Sequence, residues 1–158
     1  MVAKRAYVET SVISYLTGKP SVNDLVRAHQ RVTADWWDRR AEWDCVVSPI
    51  TLWEISRGNP EAAAKRLDKA RSLIMVPGST DADALGDLIV ARKLIPESKK
   101  VDAYHLALAA FHQSDYLVTW NQKHLDNLAL RSRIEELIRG WGLIPATVIT
   151  PERLMEEL

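Results

Sequence analysis

Four residues with oxygen-bearing side chains stand beside segments of this chain that the sequence predicts to be buried. Glu9 ends AYVE, a short run of strand-forming residues, and Glu54 lies in a helix that begins at Pro49. Asp102 begins a helix that is apolar nearly all round, and Asn121 follows the strand-like run YLVT. Each polar residue therefore lies next to the end of an element that can hold it in place.

The helix that starts near Asp102 leads directly into the strand that precedes Asn121. In a parallel α/β sheet such a helix runs antiparallel to the strand, so its first turn lies near the carboxyl edge of the sheet, where ligands bind. We therefore expect Asp102 and Asn121 to share one edge. The helix N-terminus also favours the ionised form of the Asp102 carboxylate.

Three carboxylates and one amide oxygen form a set of hard oxygen ligands. Such a set suits Mg²⁺ or Mn²⁺ and does not suit zinc, which prefers histidine and cysteine. Without a cation, clustered carboxylates repel one another and raise each other's pKa values. From spacing alone, an equally good interpretation is that the acidic residues are independent, solvated strand-end and cap residues.

The elements that must position these residues alternate between strand and helix. Strands are predicted over residues 6–9, 44–48, 73–76, 116–119 and 146–149, with helical segments between them. This alternation predicts an α/β fold in which a central parallel sheet of about five strands is flanked by helices. At 158 residues the chain, 1–158, is most simply one domain. The order of the strands does not follow from the pattern.

The composition restricts the classes of function. Lysine and arginine together number 21, as do aspartate and glutamate, so a nucleic-acid partner must be bound by local patches rather than by net charge. The one cysteine, Cys45, excludes an internal disulfide and lies in the apolar run CVV, which predicts a buried, inert thiol. We see neither a signal-peptide core nor a transmembrane segment and expect a cytoplasmic protein.

Three sequence frames together resemble the PIN-domain nucleases, especially the VapC-type toxins of toxin–antitoxin pairs. They are YVETSVISYL, VVSPITLWEI and KKVDAYHLALAAF…DYLVTWNQKHL, in the order of the family. The resemblance implies a compact α/β domain, Mg²⁺- or Mn²⁺-dependent ribonuclease activity, a homodimer and inhibition by a small antitoxin. It places the family's four catalytic, metal-binding positions on Glu9, Glu54, Asp102 and Asn121.

Two of these positions depart from the commonest pattern of the family. Glu9 stands where aspartate is usual and is one methylene longer, and Asn121 lacks a negative charge. We expect one firmly held ion rather than two. The departures also support an alternative, in which the chain is a catalytically weak or inactive PIN-like module that binds RNA or an antitoxin. The sequence does not indicate which RNA is cut.

Four further residues are secondary candidates for substrate binding or for support of the metal ligands. Ser11 and Thr119 could bond metal-bound water or a phosphate, although capping and strand-end hydrogen bonding are the commoner roles. His105 could act as a general base, but a buried, hydrogen-bonded histidine is the favoured interpretation. Lys100 could neutralise RNA phosphates or could simply be a solvated lysine.

Tryptophan recurs at helical spacing in the segment that follows Ser21. Trp36, Trp37 and Trp43 could form a platform on which bases stack. Packing in the core or in a dimer interface is the favoured interpretation, because tryptophan buries a large apolar area.

Overall fold

A parallel five-stranded sheet forms the centre of the computed structural model, which describes residues 2–123 and 127–158. The strand order is β3-β2-β1-β4-β5, and every pair of neighbours is parallel. The strands are β1 (Arg5–Val8), β2 (Asp44–Val47), β3 (Ile74–Met75), β4 (Tyr116–Val118) and β5 (Thr147–Ile149). The first strand therefore occupies the middle of the sheet, and Glu9 leaves it at the carboxyl edge.

Helices connect the strands, and short 3-10 turns lie at Arg40–Glu42 and Glu97–Lys99. The α-helices of the described residues are α1 (Thr10–Thr17), α2 (Asp24–Asp38), α3 (Pro49–Ile55), α4 (Pro60–Ala70), α5 (Thr80–Ala91), α6 (Lys100–Phe111), α7 (Leu128–Gly140) and α8 (Pro151–Glu156). None of these helices combines the length and the apolar character that crossing a membrane requires.

The two faces of the sheet bury two separate apolar clusters. Tyr7 and Leu117 point to the face covered by α5, α6 and α7, whereas Ala6, Val8 and Val118 point to the face covered by α1, α2 and α8. The alternation follows from the two-residue period of a strand. Because both faces are covered, the central part of the sheet, residues 6–8, 45–47 and 116–118, is buried and almost entirely apolar, as expected for a parallel sheet.

The predicted fold class is confirmed, and most predicted element boundaries lie within two residues of those observed. From the sequence, Ser21 could cap the second helix, but Asn23 caps α2 in the structure, and its side chain accepts a hydrogen bond from the backbone amide of Val26. Three tryptophans in and just after α2, namely Trp36, Trp37 and Trp43, are buried in the core. Their burial favours a packing role over base stacking. His124, at the end of the third motif, lies outside the described residues.

Candidate metal centre

Glu9 directly follows the last residue of the central strand and caps α1. Its backbone is extended, its amide donates to the Val118 carbonyl at 3.0 Å, and its side chain is 7% exposed. The carboxylate oxygen Oε2 accepts three hydrogen bonds, from Ser11 N at 3.0 Å, Ser11 Oγ at 2.5 Å and Thr119 Oγ1 at 2.7 Å. Ser11 was expected to be the helix cap, and that expectation is wrong because Glu9 takes the position.

The other oxygen of Glu9, Oε1, takes part in none of these three bonds. The same donors also fix the loop after β4, since Ser11 Oγ accepts from the amide of Trp120 and Thr119 Oγ1 accepts from the amide of Asn121, both at 2.9 Å. One short network therefore joins the ends of β1 and β4 and holds the Glu9 carboxylate in a single orientation.

Glu54 is held by a second network, which crosses from α3 to α1 and α6. Its Oε1 atom lies 2.6 Å from both Thr10 Oγ1 and His105 Nε2, and Oε2 is outside these two bonds. On the far side of the imidazole, His105 Nδ1 lies 2.6 Å from the hydroxyl of Tyr7, which lies 2.7 Å from Ser48 Oγ. The side chain of His105 is fully buried, which agrees with the favoured interpretation of a hydrogen-bonded histidine.

These partners determine the protonation of Glu54 and His105. Burial by itself raises the pKa of Glu54, but hydrogen bonds from His105 and Thr10 and the positive charges of His105 and Arg57 leave it below the ordinary value. Burial lowers the pKa of His105, but the electrostatic effects of Tyr7, Glu54 and Glu9 outweigh burial and raise it to about 10.

The expectation that crowded carboxylates raise each other's pKa values is therefore wrong for Glu54. No local pattern in the sequence indicates that a buried histidine lies against this carboxylate. Glu54 and His105 thus form an ionised pair. Because an ionised glutamate has no proton to lose, Glu54 can bind a cation directly.

A small cleft at the carboxyl edge of the sheet brings three of the four candidate ligands together. Its walls include Glu9, Asp102 and Asn121, together with Thr119 and His105. The cleft has a volume of about 10 Å³, which is about the space of one water molecule or one metal ion. Asp102 lies in the first turn of α6, and Asn121 is exposed.

Glu54 reaches the same centre from one side. Single ligand atoms of Glu9, Glu54 and His105 lie within 4.8 Å of one another. His105 is the least suited of these to bind a metal, because both of its ring nitrogens are already hydrogen-bonded, to Tyr7 and to Glu54. The remaining donors are oxygens from carboxylates and an amide, a set that fits Mg²⁺ or Mn²⁺.

Of the secondary candidates, Lys100 lies elsewhere. Its ammonium group is 3.7 Å from Glu97, and it lines a separate hollow with Tyr104 and Asp87. The structure also adds residues that the sequence did not single out for this centre, namely Tyr7 and Ser48, and it gives Thr10 a specific partner in Glu54. Tyr7 lies in an apolar strand and Ser48 caps α3, so neither position gave a signal of this role. Thr10, like Ser11 and Thr119, could be expected from the sequence to bond metal-bound water or a phosphate.

A solved structure shares this fold. The chain is similar to Mycobacterium tuberculosis VapC20, a toxin that cleaves the sarcin–ricin loop, with a TM-score of 0.60 and 15% sequence identity. The similarity covers 77% of this chain and 93% of that chain. The chain matches no protein-family model and no curated protein in sequence. The resemblance predicted from the three motifs is thus confirmed at the level of the fold, which is that of a VapC-like PIN domain.

Proposed function

We propose that this protein is a metal-dependent endoribonuclease of the VapC toxin kind, which hydrolyses phosphodiester bonds of RNA. The observation that supports it best is the convergence of Glu9, Asp102 and Asn121 on one cleft, although they are far apart in the sequence. The fold shared with a toxin that cleaves the sarcin–ricin loop supports RNA as the substrate.

In this proposal Glu9, Glu54 and Asp102 bind one Mg²⁺ or Mn²⁺, directly or through water, and the amide oxygen of Asn121 completes the set. When bound, the ion supplies a positive charge that binds a phosphate, orients a water molecule and lowers the pKa of that water. The arrangement of both glutamates supports this role. Each has one oxygen that accepts hydrogen bonds from protein donors and a second oxygen outside those bonds.

The protein's own residues orient these ligands. Ser11 and Thr119 fix the carboxylate of Glu9, and Thr10 and His105 fix that of Glu54. Hydrogen-bond partners behind metal ligands commonly change metal affinity or activity by about 10- to 100-fold when they are removed. The neutral Asn121 favours one ion over two, because a second divalent ion needs further negative charge.

The proposal includes partners that follow from the likeness to VapC toxins. A small antitoxin neutralises the enzyme by covering the acidic cleft, and the toxin acts as a homodimer in the cytoplasm. Light scattering of the purified chain measures its molar mass and so tests for the dimer. Co-expression with the product of a short neighbouring reading frame, followed by co-purification and a cleavage assay, tests for the antitoxin.

A second candidate is a PIN-like module that binds RNA or an antitoxin and cleaves weakly or not at all. Two observations favour it: glutamate at position 9 and the uncharged, exposed Asn121. It differs from the first candidate in one measurable respect, because it predicts RNA binding without turnover.

Cleavage of RNA with Mg²⁺ or Mn²⁺, compared with cleavage in EDTA, separates the two candidates. We expect metal-dependent cleavage that is lost in Asp102→Asn. Asp81→Asn is the matched control, since Asp81 also lies in the first turn of a helix but is exposed on α5. Cleavage that persists in EDTA, or that is equal in Asp102→Asn and the wild type, contradicts the proposed activity.

A further inference from the structure

Three aromatic rings stack beside the loop that follows β4. The rings of His29 and Trp120 lie 4.1 Å apart with planes inclined by 15°. The ring of Tyr15 lies 5.9 Å from Trp120 and 6.3 Å from His29, with inclinations of 22° and 18°. The three rings come from α1, α2 and the segment after β4, so the stack is formed only in the folded chain.

Hydrogen bonds fix the ring of Trp120 to its surroundings. The indole nitrogen Nε1 donates to Thr33 Oγ1 at 2.9 Å, and the Thr33 hydroxyl in turn donates to the carbonyl of His29 at 2.6 Å. Thr33 is fully buried, so this connection is shielded from water. The stack is therefore a preorganised surface, and a ligand that binds to it orders few side chains.

The stack lies directly beside the proposed metal centre. The backbone amide of Trp120 donates to Ser11 Oγ, the same hydroxyl that donates to Glu9. The two chain neighbours of Trp120 are Thr119 and Asn121, which both line the small cleft. The backbone of Trp120 is thus part of the network that holds Glu9, and its side chain turns from there to the face of the sheet covered by α1 and α2, where it packs against the apolar cluster. A strand of RNA that has a phosphate at the cleft must therefore pass over this rim of the sheet for its base to contact the rings.

The three rings differ from the tryptophans of the core in exposure. Tyr15, His29 and Trp120 are each partly exposed, whereas Trp36 is completely buried. Partly exposed, nearly parallel aromatic rings are the surfaces on which proteins stack unpaired bases of RNA, and tryptophan, tyrosine and histidine all serve in this way.

We propose that Tyr15, His29 and Trp120 form a stacking platform for an unpaired base of the RNA strand bound at the Glu9 cleft. The proposal deepens the proposed function and rests on it for the identity of the ligand as RNA. It predicts a preference for single-stranded or looped RNA, because the bases of a duplex are already stacked and paired and cannot extend this stack.

The test measures binding without turnover. A labelled, unstructured RNA of about 12 nucleotides and a base-free ribose–phosphate oligomer of the same length are each titrated with the purified chain in Ca²⁺, which takes oxygen ligands and keeps a positive charge in the cleft. Gel electrophoresis verifies that the RNA stays intact. The wild type is expected to bind the base-bearing RNA more tightly than the base-free oligomer. Trp120→Leu is expected to weaken binding of the base-bearing RNA by about fivefold or more and to leave binding of the base-free oligomer unchanged.

Two further variants control this measurement. Trp141→Leu removes another tryptophan, one that is 43% exposed and lies at the end of α7, and is expected to bind RNA like the wild type. His29→Leu removes a ring from the stack while keeping every hydrogen bond to Trp120, and it replaces Trp120→Leu if that variant does not fold. Circular dichroism and thermal melting verify the fold of each variant.

Three outcomes overturn the stacking platform. The first is that the wild type does not bind the base-bearing RNA more tightly than the base-free oligomer. The second is that the variants of the stack bind the base-bearing RNA as tightly as the wild type does. The third is that these variants lose affinity equally for both oligomers. Failure of the nuclease proposal is recognised separately, in the cleavage assay. Base-dependent binding without cleavage removes only the nuclease activity, and cleavage without base-dependent binding removes only the platform.

Discussion

His105 Nε2 and Glu54 Oε1 lie 2.6 Å apart and join α6 to α3 beneath the candidate metal centre. Because the pKa of His105 is raised and that of Glu54 is lowered, the pair is ionised at neutral pH. In this state both ring nitrogens of His105 donate, one to Glu54 and the other to the hydroxyl oxygen of Tyr7. Tyr7 then donates to Ser48. A buried charge is thus compensated on both sides, which is the condition under which proteins tolerate it.

We expect Tyr7→Phe to lower the free energy of unfolding by about 1–3 kcal/mol, because the change leaves a buried imidazole nitrogen of His105 without its acceptor. Urea denaturation measures the change. Tyr116→Phe is the matched control, since Tyr116 is also buried in the sheet and its hydroxyl makes no bond that the structure describes. An equal loss of stability in both variants contradicts the account of the network.

The hydroxyl of Thr119 is expected to contribute to metal binding and activity through Glu9. Thr119→Val keeps the shape of a side chain that is 3% exposed but removes the donor to Glu9 and the acceptor for the amide of Asn121. Given the proposed nuclease function, we predict a loss of about 10- to 100-fold in metal affinity or cleavage rate. Thr147→Val, on the exposed part of β5, is the control and is expected to behave like the wild type. Unchanged metal affinity and rate in Thr119→Val count against the role of this bond.

Close packing of α5 on α6 depends on Gly86. A Cβ atom at this position lies 2.9 Å from Cε1 and 3.3 Å from Cα of Tyr104, which is too close without a shift of the helices or the ring. We expect Gly86→Ala to destabilise the fold by about 1–3 kcal/mol, as measured by urea denaturation. A Cβ atom added at Gly140 meets no other atom within 4 Å. Gly140→Ala is therefore expected to leave stability unchanged or to raise it by up to about 1 kcal/mol. The reverse order of stabilities refutes this packing argument.

The thiol of Cys45 is expected to be inert in the folded protein. Burial, the largest effect, raises its pKa to about 12, so the thiolate is scarce at about pH 8, where free cysteine is partly ionised. A thiol reagent is predicted to modify Cys45 only after denaturation. The absorbance of the coloured product that the reagent releases measures the rate of modification. Rapid modification of the native protein contradicts the prediction.

The sequence predicted the elements well because their signals are local. Ser48 and Pro49 begin α3 as expected, and the nearly all-apolar α6 is buried against the sheet as its composition required. The third strand was predicted over residues 73–76 and is shorter in the structure, where β3 consists of two exposed residues at the edge of the sheet. Strand order had no local signal and required the structure.

The sequence motifs named residues that the structure brings to one cleft, namely Glu9, Asp102 and Asn121, but they did not indicate the hydrogen bonds of the centre. Motif positions identified Glu9 and Asp102, whereas the partners of Glu54 depend on contacts between residues as distant in sequence as Thr10 and His105. The aromatic stack was not anticipated for the same reason. Its three rings come from three separate elements and have no common periodicity, and only folding brings Trp120 against His29.

The central claim is that side-chain oxygens from distant parts of the chain hold one divalent ion at the carboxyl edge of the sheet. Anomalous diffraction from a crystal of the wild-type protein soaked in Mn²⁺ tests it most directly. The account predicts one manganese peak bounded by the carboxylates of Glu9 and Asp102, with Glu54 and Asn121 adjacent. A well-ordered cleft with the four side chains in place and no manganese among them contradicts it.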